Sequence, residues 1–130
     1  MPLNTIQLVG NLVDAPELRH TGDGTPVANL TVAVSRSVRR DGEWHQIQDG
    51  FFRCTLWQDL ATNAAESLSK GDRVIVVGKQ QQRSYEAEDG RRYVIDVQAS
   101  HVGPDLSFGT AKVTRRKKSS TRGEDAGELA

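Results

Sequence analysis

The chain has 130 residues, enough for one domain with a real core and too short for two ordinary ones. Seventeen Lys+Arg balance seventeen Asp+Glu and aromatics make up only 5% of the residues, so on composition alone a nucleic-acid binder is not favoured. No apolar run approaches the ~20 residues of a membrane span, the start has no basic stretch followed by an apolar one, and a single cysteine excludes both an intrachain disulfide framework and a Cys-rich zinc site. These features point to one domain of a reducing compartment, the cytoplasm, with no membrane contact.

The zero net charge conceals a division. Positions 1–110 hold 11 basic and 14 acidic residues (net −3), and positions 111–130 hold six basic and three acidic (net +3). The body reads as strands. In 4–12, Ile6, Leu8 and Leu12 recur at period two, and Gly10 suits a bulge or sharp bend. The stretch 14–26, with Pro16, Gly22, Asp23-Gly24 and Pro26, reads as a loop. In 27–36, Ala28, Leu30, Val32 and Val34 face one way, and Asn29, Thr31 and Ser35 the other. Asp41-Gly42 is a strong hairpin signal. A third strand, 51–57, is rich in aromatic and β-branched residues.

The period then changes. Leu60, Ala64 and Leu68 form one apolar stripe on a short helix, with Asp59 as its cap and Gly71 as its C′ residue. Val74-Ile75-Val76-Val77 is apolar on both faces, which predicts a central fourth strand running outward through the polar 79–85. Asp89-Gly90 turns the chain into a fifth strand, 91–99, with Tyr93, Ile95, Val97 and Ala99 on a core-facing side. Five strands with a helix between the third and fourth is the order of the OB-fold, an all-β Greek-key barrel. The predicted domain spans 1–106. The Gly-, Ser- and charge-rich 107–130 reads as a disordered tail whose end is weakly acidic.

Catalysis finds little support. His20, His45 and His101 have no metal-ligand spacing, no phosphate-cradling motif occurs, and Gly22 and Gly24 sit in a loop. No catalytic residue, metal or cofactor is expected. Cys54 shares a face with Phe52 and Leu56, where an inert core thiol is the default. As an odd cysteine it is also a candidate for an intersubunit disulfide.

A binding face is the stronger reading. Alternation sends Phe51, Arg53, Thr55 and Trp57 to one side of the third strand. The outer half of the fourth sends Lys79, Gln81, Arg83 and Tyr85 to a common side. Cations alternating with aromatics suit single-stranded nucleic acid, whose bases stack and whose phosphates need counter-charge. Arg36, Arg39, Arg40 and Trp44 in the second hairpin extend that path. By pattern alone, Phe51 and Trp57 fit a core or an oligomer contact equally well. An RNA-directed module and a protein-assembly module remain as alternatives.

Three blocks carry a family resemblance: Asn4-x-Ile6-x-Leu8-Val9-Gly10-Asn11-Leu12, Val27-Ala28-Asn29-Leu30-Thr31-Val32-Ala33, and Phe52-Arg53-Cys54-Thr55-Leu56-Trp57. With Leu68-Ser69-Lys70-Gly71-Asp72-Arg73-Val74 they resemble, in order, bacterial single-stranded DNA-binding proteins. The resemblance covers nearly all of 3–103. It implies an OB-fold subunit of a homotetramer, cytoplasmic and nucleoid-associated, that binds single-stranded DNA without sequence preference during replication, repair or recombination. It further implies stacking by Phe51, Trp57 and Tyr85, and phosphate contacts by Arg53, Lys70 and Arg83.

Some positions depart from the family. Val38 stands where a stacking aromatic is usual, with Trp44 near enough to replace it. Asp59 replaces a common Lys, and Phe52 an interface His. The family's acidic tip ends in Pro-Phe and docks replication and repair proteins. This sequence ends Gly123-Glu124-Asp125-Ala126-Gly127-Glu128-Leu129-Ala130, which keeps some acid but lacks the aromatic anchor, so recruitment through it is expected to be weak or absent. The basic run of 111–122 fits either a direct contact with DNA or a solubilising extension.

Overall fold

A computed structural model describes residues 4–116. Its elements are β1 (Thr5–Leu12), β2 (Glu17–His20), β3 (Pro26–Arg40), β4 (Glu43–Trp57), α1 (Asp59–Ser67), β5 (Arg73–Ala87) and β6 (Gly90–Pro104). The sheet runs β1-β5-β6-β4-β3-β2, and a further β1–β3 pairing closes it. That closure leaves a ring of five strands, β1, β5, β6, β4 and β3, with α1 between β4 and β5. The fold is therefore the expected OB barrel.

The sixth strand, β2, pairs with the start of β3 outside the ring. It lies within 14–26, which the sequence presents as a loop. All four of its residues are exposed, so no alternation marked it. The predicted strands are also longer than expected. β3 and β4 extend into a hairpin of 15 residues a side, and β6 continues to Pro104. Asp41 and Gly42 turn that hairpin with φ of 51° and 79°, the geometry an Asp-Gly turn supplies.

The core packs inside the ring. Leu30, Val32, Cys54, Leu56, Val74, Val76 and Val97 are 0–2% exposed. Ala61 and Ala64 of α1 seal one end. Asp59 begins the helix in its first turn and does not cap it. Gln58 holds the cap position and makes no side-chain cap hydrogen bond. The helix ends at an extended Leu68, so Gly71 (φ 90°) belongs to the following turn and is not the C′ residue.

Two irregularities curl the sheet. Registers slip between Val34 and Ser35 of β3, opposite Asp49, and between Val77 and Gly78 of β5, opposite Ser100. Each slip has a polar side chain that satisfies a backbone carbonyl. Gln48 Nε2 donates to Val34 O (3.1 Å) and Gly50 O (3.0 Å), and Ser100 Oγ donates to Val77 O (3.1 Å). Bulges of this kind increase twist, which a small closed barrel needs. Glycines supply the clearance. A Cβ on Gly10 would lie 2.3 Å from Ala33 O, and one on Gly78 2.4 Å from Gln98 O. Gly10 thus serves close strand approach where the barrel shuts, not a bend.

Gly78→Ala should destabilise the fold by about 1–3 kcal/mol, because backbone blocks the new methyl. Gly22→Ala, with nothing within 4 Å, should leave the urea midpoint nearly unchanged.

Candidate nucleic-acid interface

β4 alternates as its sequence dictates. Cys54 and Leu56 enter the core, while Phe51 (65% exposed), Arg53 and Trp57 (44%) point out. Cross-strand partners share a face, so the registers define what surrounds this row. On β3, Ala33, Thr31 and Asn29 lie opposite Phe51, Arg53 and Thr55. On β6, running parallel, Asp96 and Gln98 lie opposite Arg53 and Thr55. On β5, Lys79, Gln81, Arg83 and Tyr85 lie opposite Gln98, Asp96, Val94 and Arg92. Phe51, Arg53, Trp57, Lys79, Arg83 and Tyr85 therefore share one continuous outer face. Tyr85 is 51% exposed.

Hydrogen bonds hold part of this face in place. Trp57 Nε1 donates to Gln98 Oε1 at 3.1 Å, fixing the indole across the β4–β6 seam. Thr55 Oγ1 bonds Asn29 Oδ1 at 3.3 Å. Arg83 Nε donates to Asp96 Oδ2 in an ion pair whose acid is 8% exposed at its side chain and whose arginine is 59% exposed. Asp96 and Gln98 did not figure among the expected site residues. Their polar alternation with Val97 and Ala99 was legible, but the pairing that sets them beside β4 is non-local.

The β3–β4 hairpin extends the face through its bulge. Straight alternation from Phe51 would send Asp49, Ile47 and His45 outward. The extra residue Asp49 resets the phase, so Gln48, Gln46 and Trp44 follow Ser35, Ser37 and Arg39 onto the outer side. Trp44 is 68% exposed, and the Arg39 guanidinium lies 5.9 Å from its ring centroid, within cation–π range. Val38 takes the opposite side, paired with His45. Arg36 and Arg40 share that opposite side, and Arg36 is bonded to Asp49 at 3.0 Å. Lys70 belongs to no strand of this face: it is exposed in the turn before β5, at the opposite end of that strand from Arg83.

Tyr93 is not a core residue. It keeps the phase of core-facing Val97, yet Tyr93 is 64% and Ile95 51% exposed. The β5–β6 hairpin runs past the barrel, so the inward side of its outer half meets solvent. Cys54 is fully buried and free. Burial, then the charge of Asp96, pushes its thiol up to about 12. A sulfur enclosed in its own barrel has no route to a second subunit's, so the intersubunit disulfide is not supported. No group of three or more His, Cys, Asp or Glu suited to a metal occurs among the described residues, and no helix there is long and apolar enough to cross a membrane. Residues 107–116 form no helix or strand. Phe108 lies 5.8 Å from the Arg73 guanidinium, and Arg116 pairs with Glu66. The rest of the expected tail, 117–130, lies outside the described residues.

The closed ring, the end-sealing helix and the open strand face define a protein of the OB-fold class. The chain belongs to the Single-strand binding protein family, which matches residues 3–105. It is 46% identical over 118 residues to a single-stranded DNA-binding protein of Mycolicibacterium smegmatis, covering 88% of this chain and 72% of that one. A single-stranded DNA-binding protein of Paenarthrobacter aurescens is 41% identical over 126 residues, covering 95% and 74%. A crystal structure of a small single-stranded DNA-binding protein from Streptomyces coelicolor superposes with a TM-score of 0.74 at 32% identity, covering 84% of this chain and 100% of that one. The family is one of binding proteins, and the chain is not an enzyme.

The enclosed thiol gives a direct check. Cys54 should resist a thiol reagent in the folded protein at pH 8 and react fully in denaturant. Because its pKa is raised on folding, this thiol's contribution to stability is present below the unfolded value near 9.0 and is lost as pH rises towards 12.

Proposed function

We propose that the protein binds single-stranded DNA without sequence preference, along the outer face of β4, β5 and β6. The observation that carries this reading is the solvent-exposed row Phe51, Arg53 and Trp57, with Lys79, Arg83 and Tyr85 on the same face. Large apolar rings held in water are unfavourable unless something covers them. Bases stack on such rings with roughly 1–3 kcal/mol each, and every base offers a π-face, so stacking confers affinity without sequence readout. The arginines and Lys79 meet the phosphates between stacked bases. Trp44 and Arg39 lengthen the track along the β3–β4 hairpin.

The relatives' names support the choice of ligand. The working unit in this reading is the barrel, 1–106, with 107–130 as an appendage, acting in the cytoplasm at the nucleoid. Protection of exposed strands in replication, repair and recombination is the role it suits. Assembly into a homotetramer is part of the same proposal. β1 pairs with β3 only at Asn11 and Leu12, which leaves the other edge of 5–10 open to a second copy. Val9 and Ile75, directly opposite each other, add an exposed apolar pair beside it.

Titration with oligo-dT should quench the fluorescence of Trp44 and Trp57 at low salt. The slope of log affinity against log salt should be about −0.7 per phosphate contact. Trp57→Ala should weaken binding by roughly tenfold or more, and Tyr93→Ala far less. Absence of quenching, or tighter binding to duplex or to RNA than to single-stranded DNA, would contradict the reading.

A further inference from the structure

The proposed interface has an acid at its centre. Asp96 is 6% exposed, yet by register its side chain belongs to the outer face, between Arg53 of β4 and Gln81 of β5. Its Oδ2 accepts the hydrogen bond from Arg83 Nε, and its Oδ1 has no partner among the described residues. A shielded carboxylate with one oxygen unsatisfied is unfavourable for folding, and pairing with a largely exposed arginine offsets that only in part. A fixed negative charge also repels phosphate. Stability and affinity alike disfavour an acid at this position.

We propose that Asp96 is an affinity-setting residue: it competes with DNA phosphate for Arg83 and holds the face below the affinity its cations permit. The inference rests on the single-strand-binding reading above. Carboxylate and phosphate oxygens present the same kind of acceptor to a guanidinium. An incoming phosphate must therefore draw Arg83 from Asp96 or share it. When the phosphate leaves, the pre-placed carboxylate recovers the arginine. Arg53 has no acidic partner among the described residues and is open to phosphate throughout. The face thus combines one open arginine with one self-compensated arginine. That pairing keeps contacts to the strand exchangeable, which suits a binder whose strand must later be given up.

The test is oligo-dT affinity across a salt series for the full chain and for Asp96→Asn, which keeps the shape and removes the charge. The substitution should tighten binding roughly three- to thirtyfold at low salt. It should also steepen the salt slope by about 0.7, the increment of one added phosphate contact. In an Arg83→Gln background the same substitution should give less than a third of that gain. If urea titration shows that Asp96→Asn perturbs the fold, Asp96→Thr removes the charge with a good strand former and should show the same gain. Unchanged or weaker binding by a folded charge-free variant would overturn the proposal. So would an equal gain with and without Arg83. Failure of the unsubstituted protein to bind oligo-dT would instead overturn the single-strand-binding reading itself.

Discussion

Two long hairpins, β3–β4 and β5–β6, meet in parallel along only three residue pairs: Arg53–Asp96, Cys54–Val97 and Thr55–Gln98. That short seam does two jobs. Its middle pair is fully buried and ties both hairpins to the core. Its flanking pairs point outward and bring the residues of β4 beside those of β5 and β6. Without it the hairpins would be joined only through β1, and each would carry half of an aromatic and cationic face. The Trp57–Gln98 hydrogen bond crosses the same seam, so the indole is oriented by the contact that joins the hairpins.

Closing a five-stranded ring around so small a core requires strong local twist. The bulges at Asp49 and Ser100 supply it, and Gly10 and Gly78 allow the backbones to approach. The bulges also affect the site. The one at Asp49 changes which side of the hairpin arm faces outward. Trp44 of β4 is shifted onto the face of Phe51, beside Arg39, while the unbroken alternation of β3 keeps Arg36 and Val38 on the opposite side. The closure device of the barrel thereby decides the length of the proposed track.

Much of this was legible in the sequence because it is local. Alternation in β4 separated Phe51, Arg53 and Trp57 from Cys54 and Leu56, and the change to a helical period located α1. Asp41-Gly42 marked its turn. What escaped depends on distant chain segments or on the absence of pattern. β2 carries no buried residue to mark it. Tyr93 keeps a core-facing phase, but local periodicity does not show where the barrel stops and its arm begins. Lys70 matches a basic family position yet stands at the far end of β5. Asp96 looked like an ordinary polar position until the parallel seam put it beside Arg53 and Arg83.

The charge balance also takes on a different meaning. A body of net −3 is a poor electrostatic match for DNA as a whole, and affinity depends on cations gathered on one face. The central claim is that this face, and not the far side of the hairpin arm, receives the strand. Ultraviolet cross-linking of the intact protein to oligo-dT, followed by peptide mapping, tests it most directly. The account predicts adducts at Phe51, Trp57 and Tyr85. Adducts confined to Tyr93 and the residues after Pro104 would contradict it.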